Sequence, residues 1–262
     1  MLTLDQIEDQ YPDSLRPFKR SLLREYLQYK ILEIIFSSEY ADKLSFLGGT
    51  ALRIVYGNTR FSEDLDFDNF GLLEEEFDEI SKIIQKGLIA QGLKVEMNTV
   101  SKGAFRCNIR LPRILFENEL SGYPSEKILI HIDTVPHHFT YKPDKKILNK
   151  FDVFSEIFVT PLDIILSQKF YAAVNRKRAK GRDFFDIVFL QSRTKPNYEY
   201  LKEKIGVANS VELRAKLETE FKDLDFKALG QDVKNFLFKP ADIKRVEMFS
   251  EFLKQADLDK KP

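Results

Sequence analysis

The chain has 262 residues, 43% hydrophobic and 31% charged, which suits a globular protein with one large domain or two modest ones. Lys plus Arg and Asp plus Glu each total 41, so the formal net charge is zero and no general electrostatic pull toward nucleic acid or membrane is expected. No apolar run approaches the roughly 18 residues of a membrane-spanning helix, and the first twenty residues lack the basic-then-apolar pattern of a leader. A cytoplasmic location is the expectation. Cys107 is the single cysteine; its flanks, FRCNIRL, predict a packed thiol on a strand.

In chain order, Leu15, Phe18, Leu22, Tyr26 and Tyr29 recur at helical spacing and predict a long helix from about Ser14 to Ser38. Leu44–Leu47 is a short apolar run ending in Gly48-Gly49, which predicts a buried strand entering a tight turn. A short helix is expected after Thr50. EDLDFD then alternates acid and apolar residues, the period of a strand with two unlike faces. Leu72 to Gly92 reads as a helix stopped by its glycine. Three strands are predicted over LKVEMNTV, AFRCNIRL and EKILIHIDTV. Pro136 to Phe151 has no clear period and is expected to be a loop or a hairpin excursion. From Pro161, well placed at a first helical position, helices are predicted to about Gln255. The expected fold class is therefore α+β: a mixed-sheet unit over 1–157 and a helical unit over 158–262.

The chemistry is concentrated in Asp64-Leu65-Asp66. On a strand these two carboxylates share a face, roughly 7 Å apart by strand rise, while Leu65 and Phe67 take the other. Like charges so placed repel unless a cation or hydrogen bonds separate them. A hard divalent cation such as Mg²⁺ or Mn²⁺ takes one or two carboxylates plus substrate phosphates. Gly48 and Gly49 allow close backbone approach, and the amides opening the next helix favour an anion. Thr50 and Ser62 can supply hydroxyls. Asp133, ending the alternating Ile128-Ile130-Ile132 strand, shares a face with His131 and offers a third carboxylate of the kind that holds metals for in-line displacement at phosphorus. An Asp-x-Asp pair alone is common on exposed strands, and a Gly-Gly pair alone is a turn. The order and spacing of both together are specific.

Gly48-Gly49-Thr50-Ala51-Leu52-Arg53 followed by Tyr56-Gly57-Asn58-Thr59-Arg60-Phe61-Ser62-Glu63-Asp64-Leu65-Asp66-Phe67 resembles the signature of the AbiEii-type nucleotidyltransferases. These belong to the DNA polymerase β-like nucleotidyltransferase superfamily and are known mostly as toxins of type IV toxin–antitoxin or abortive-infection systems. The resemblance implies that Asp64 and Asp66, with Asp133 as third carboxylate, are metal ligands, and that Gly48, Gly49, Thr50, Arg60 and Ser62 contact the triphosphate.

On the helix from Pro161, Lys169 falls within an apolar stripe, where a lysine must be paired, snorkel, or face a charged ligand. Arg176 lies on the same side. Asp183 and Asp186 share a helix face at i, i+3 spacing, and acids in a first turn also complement the helix dipole. Lys169-Phe-Tyr-Ala-Ala with Arg178, Arg182-Asp183 and Asp186 is similar to the second block of the same family. That resemblance implies phosphate contact by Lys169, a nucleotide contact by Arg182 and a catalytic or positioning role for Asp183. It also implies a nucleoside triphosphate as substrate, a tRNA 3′ end or a protein as acceptor, and a cognate antitoxin as partner. A triphosphate sensor without transfer and a partner-binding protein are the competing classes. His131, His137 and His138 lack metal-ligand spacing and are read as incidental.

Overall fold

A computed structural model describes residues 1–101, 104–136 and 138–259. They form two compact units: one holds Met1–Tyr56 and Phe61–Thr160, the other Gly57–Arg60 and the described residues from Pro161 on.

The first unit opens with the short helix α1 (Leu4–Glu8) and α2 (Lys19–Phe36). The predicted helix begins later than expected because Asp13–Phe18 is a 3₁₀ segment containing Pro17, whose ring and missing N–H oppose an uninterrupted α-helix. Then come β1 (Leu44–Leu47), α3 (Gly48–Ile54), β2 (Leu65–Asn69), α4 (Glu74–Ala90), β3 (Glu96–Ser101), β4 (Phe105–Pro112), α5 (Ile114–Glu117), β5 (Lys127–Pro136), β6 (Asp144–Lys150) and β7 (Val153–Val159). The strands make one mixed sheet in the order β3-β4-β5-β2-β1-β7-β6. β2 runs antiparallel to β1 and parallel to β5. α2 packs on β7 and α4, burying Leu23, Leu27, Ile31 and Ile35.

The segment without sequence period contains a strand, β6, hairpinned to β7. β6 is a sheet edge carrying Lys145, Lys146 and Lys150. Charge on an edge strand guards it against pairing with other chains and at the same time hides the alternation. The hairpin turns at Phe151, φ 60°, whose ring lies 5.2 Å from those of Tyr26 and Tyr29. Nearby, the carboxylate of Glu25, 3% exposed, receives Arg53 at 2.8 Å, the Tyr11 hydroxyl at 2.7 Å and Lys150 at 3.1 Å. A buried charge needs such a full set of partners.

The second unit is helical: α6 (Leu162–Asn175), α7 (Gly181–Gln191), α8 (Tyr198–Ile205), α9 (Ser210–Phe221), α10 (Phe226–Val233), α11 (Lys244–Glu247) and α12 (Phe249–Gln255). Its core centres on Phe184, with Phe221 and Phe226 at 5.1 Å and Phe249 at 4.9 Å between ring centroids. Gly181 admits the Leu229 carbonyl where a Cβ would sit 1.9 Å from its oxygen, so α7 and α10 approach more closely than any side chain there would allow. Gly57–Arg60 joins this unit through a β-bridge between Arg60 and Leu237.

Candidate active site

In the first unit, β2 begins at Leu65, so Asp64 is the last residue before the strand rather than part of it. Its alternation is as predicted: Leu65 and Phe67 are buried, while Asp64 and Asp66 are half-buried on the other side. The approach to the strand is tied from beneath. Gln28, 1% exposed, donates to the carbonyls of Ser62 at 3.1 Å and Glu63 at 3.0 Å. Thr50 donates its hydroxyl to the Asp64 carbonyl. Thr50 is fully buried, so its side chain is committed to holding Asp64 in place. Ser62, half-buried, lies two residues ahead of Asp64 in the tethered segment.

The helix expected after Thr50 starts at Gly48. Gly48 has φ +78°, and a Cβ there would stand 2.2 Å from Oδ2 of Asp66. Only glycine combines that conformation with that clearance. Gly48 thus makes room for a carboxylate of the chain itself, and Gly49 is buried beside it in the first turn of α3.

The sheet register assembles the acids. Asp66 is the direct partner of Asp133 between β2 and β5, and Asp133 is the direct partner of Arg106 between β5 and β4. Arg106, Asp133 and Asp66 therefore form a row across three neighbouring strands on one face. Arg106 Nε donates to Asp133 Oδ1 at 2.5 Å and a terminal nitrogen lies 3.3 Å from Oδ2. That bond and the charge of Asp133, with Asp64 and Asp66 adding theirs, hold the Arg106 pKa above its ordinary value. One step along, Asn108 is the partner of His131, and their side chains meet at 2.6 Å. Burial raises the Asp64 pKa; the charge and backbone N–H of His131 pull the other way without cancelling it. His131 is thus a neighbour of the site. His138 is exposed, and His137 lies outside the described residues. A further acid on this face of β2, Asp68, is buried and accepts the Tyr141 hydroxyl at 2.6 Å, which makes it structural.

The donor set of Asp64, Asp66 and Asp133 is all oxygen, as Mg²⁺ or Mn²⁺ requires. Among the described residues no group of three or more His, Cys, Asp or Glu side chains is placed to hold a metal ion by itself. An open site completed by substrate phosphates is the usual arrangement for Mg²⁺. By donor chemistry the carboxylates suit such an ion, which would need further oxygens from its substrate to be held.

In the second unit, Lys169 on α6 bonds Asp186 at 2.8 Å and Asp183 at 3.1 Å, both on α7. Arg60 grips Asp186 with Nε at 2.7 Å and a terminal nitrogen at 2.6 Å, and Asn58 adds a bond at 2.9 Å. Asp183 also pairs with Arg176 at 3.3 Å. Burial alone would neutralise these groups. Instead Arg60 and Lys169 outweigh it and bring the Asp186 pKa down to about 2, while Asp186 and Asp183 outweigh it at Lys169 and raise that pKa. Arg60, expected at the nucleotide, is 2% exposed and braces Asp186 in this structure. Arg182 stacks over Phe236 at 4.5 Å.

Neither motif marks Arg106, and Asp186 has no role of its own in the sequence pattern. The alternation of Phe105, Cys107, Ile109 and Leu111 put Arg106 on the opposite face, but only the register shows what it faces. Cys107 is fully buried, and burial pushes its thiol up to about 11, which leaves it inert at neutral pH.

Among the described residues no helix is long and apolar enough to cross a membrane. No curated protein matches the chain. Solved structures do. JHP933 from Helicobacter pylori is 17% identical, with a TM-score of 0.55, over 90% of this chain and 92% of that one. A second structure, of a candidate nucleotidyltransferase from H. pylori, is also 17% identical, with a TM-score of 0.56, over 90% and 95%. At that identity the likeness is one of fold. The family model for the nucleotidyl transferase AbiEii toxin of type IV toxin–antitoxin systems matches residues 30–260. The chain belongs to the AbiEii nucleotidyltransferase toxin family.

Proposed function

We propose that this nucleotidyltransferase uses Asp64, Asp66 and Asp133 to hold a divalent cation, Mg²⁺ or Mn²⁺, with a nucleoside triphosphate, and transfers the nucleotidyl group to a tRNA 3′ end or a protein side chain. The observation that carries the reading is the direct pairing of Asp66 with Asp133 across β2 and β5, beside Asp64 on the same face. Such a bound cation would offset charge on the α-phosphate and on the departing pyrophosphate.

In the reaction, an acceptor hydroxyl oxygen forms a bond to the α-phosphorus. The bond from that phosphorus to the α–β bridging oxygen breaks, and pyrophosphate leaves with the electron pair. The hydroxyl proton passes to a carboxylate of the site or to solvent. Gly48 keeps the Asp66 carboxylate seated, and Gln28 and Thr50 fix the backbone at Asp64, so the acids are positioned before substrate arrives. Gly49 and Ser62 border this group and complete the proposed triphosphate contacts. For Lys169 and Asp183 in the second unit, activity is proposed to depend on the charge network around Asp186, and Arg182 keeps its proposed nucleotide contact. The family implies a cognate antitoxin, and the protein is read as acting in the cytoplasm.

The test is incubation with each α-labelled nucleoside triphosphate, Mg²⁺ and total cellular RNA, comparing the natural protein with Asp64→Ala. Label entering RNA or protein only with the natural protein supports the reading and names the nucleotide and acceptor. A folded Asp64→Ala protein that still labels would overturn it.

A further inference from the structure

Arg106 is a cation on the acidic face, paired with Asp133, and its geometry is that of a removable counter-ion. It is bidentate on Asp133, the pairing in which guanidinium matches carboxylate best. Yet the Arg106 side chain is 57% exposed against 30% for Asp133, so the guanidinium can leave toward solvent without disturbing the core. Register places it in the same row as Asp66. A carboxylate with both oxygens taken by a guanidinium has little capacity left for a metal ion.

We propose that Arg106 is an exchangeable positioning residue: it neutralises Asp133 while the site is empty, gives up that carboxylate to the divalent cation, and moves its guanidinium to the phosphates of the incoming nucleotide. The exchange keeps three carboxylates from facing one another without a cation, and it makes metal and nucleotide uptake mutually dependent. A metal alone must displace Arg106 with nothing to receive it. With the nucleotide present, the guanidinium passes from one anion to another. This rests on the proposed metal role of the carboxylates, and the test separates the two.

The experiment is titration of the full chain with Mn²⁺, followed by the paramagnetic signal of free Mn²⁺, with and without a non-hydrolysable nucleoside triphosphate. Natural protein, Arg106→Gln, Arg106→Lys and Asp64→Asn are compared. In the absence of nucleotide, Arg106→Gln is expected to bind Mn²⁺ about two- to fivefold more tightly, the competition a half-exposed ion pair can exert. With nucleotide, the same variant loses the gain and binds the triphosphate more weakly. Arg106→Lys, which keeps the charge without the fork, falls between. Unchanged Mn²⁺ affinity in Arg106→Gln, or nucleotide affinity that does not fall, overturns the exchange. If Asp64→Asn binds Mn²⁺ as the natural protein does, or the natural protein binds none with nucleotide present, the carboxylate reading itself fails.

Discussion

Asp66 and Asp133 stand directly opposite each other in the parallel pairing of β2 with β5. Like charges so placed repel, and the guanidinium that Arg106 sets on Asp133 offsets that repulsion in this structure. Asp66→Ala and Asp133→Ala are each expected to lower transfer by more than about a hundredfold, the scale of several kcal/mol of lost charge stabilisation in the transition state. If both serve one cation, the double variant is little worse than either single one. Initial rates of label incorporation check this; additive losses would mean that the two acids act separately.

Gly48 offers a separate handle on the same carboxylate. Its φ of +78° and the 2.2 Å between a would-be Cβ and Asp66 Oδ2 penalise any side chain twice. Gly48→Ala is expected to cost about 1–3 kcal/mol by chemical denaturation and to push the Asp66 carboxylate aside, reducing transfer. Gly57, with φ +73° and nothing near a would-be Cβ, is the control. Gly57→Ala carries the backbone penalty without displacing a carboxylate, so the stability loss should be of the same kind while the loss of transfer belongs to Gly48→Ala.

The acidic face could be read from the sequence because strand alternation is local: Asp64 and Asp66 have the same parity, and Leu65 and Phe67 have the other. Which residue faces which could not. Pairing of Asp133 with Asp66 on one side and Arg106 on the other depends on sheet order and register, which join segments about 70 and 27 positions apart in the chain. The hairpin strand β6 was hidden because a lysine-rich edge strand with one buried residue, Leu148, carries little period. Lys169 stands out in the sequence as a charge in an apolar stripe, but its partners Asp183 and Asp186 sit on the next helix, and helical spacing along α6 says nothing about them. Thr50 and Arg60 lie in the motif that implies ligand contacts, and in the structure both are buried, Thr50 on the Asp64 carbonyl and Arg60 on Asp186. Their burial shows that a motif can also hold residues whose work is to brace its neighbours.

The raised pKa of Asp64 has a stability consequence. A carboxyl whose folded pKa exceeds its unfolded value, about 3.9, holds its proton more tightly in the native state. Its contribution is fully present below about pH 3.9 and is lost as pH rises through the higher folded pKa. At neutral pH the charged Asp64 therefore opposes folding. Asp64→Asn is expected to unfold at higher denaturant than the natural protein at pH 7, with the difference shrinking below pH 4, while transfer is lost. Midpoints measured from pH 3.5 to pH 7.5 check the slope; a variant less stable at pH 7 would refute the sign.

Arg60 and Asp186 have the opposite behaviour. Arg60 is 2% exposed and Asp186 fully buried, so removing one partner leaves a charge with no access to water. Arg60→Met is expected to cost about 3–5 kcal/mol. Arg113 and Glu117, both about half exposed at 2.9 Å, supply the contrast, since Arg113→Ala should cost no more than about 1 kcal/mol. The folded pKa of Asp186 is depressed to about 2 from an ordinary 3.8. Its contribution is therefore present above pH 3.8 and disappears as pH falls toward 2. The natural protein should lose stability steeply through that window, and Asp186→Asn, already lacking the charge, should lose less. The same network alters what Lys169→Ala is expected to do. On the sequence alone that variant would lose transfer and keep its fold. With Lys169 holding Asp183 and Asp186, its loss should lower the unfolding midpoint as well. Lys169→Ala combined with Asp186→Asn separates the two effects: if the network is structural, the double variant regains part of the stability, and any transfer still missing then belongs to Lys169 in the reaction.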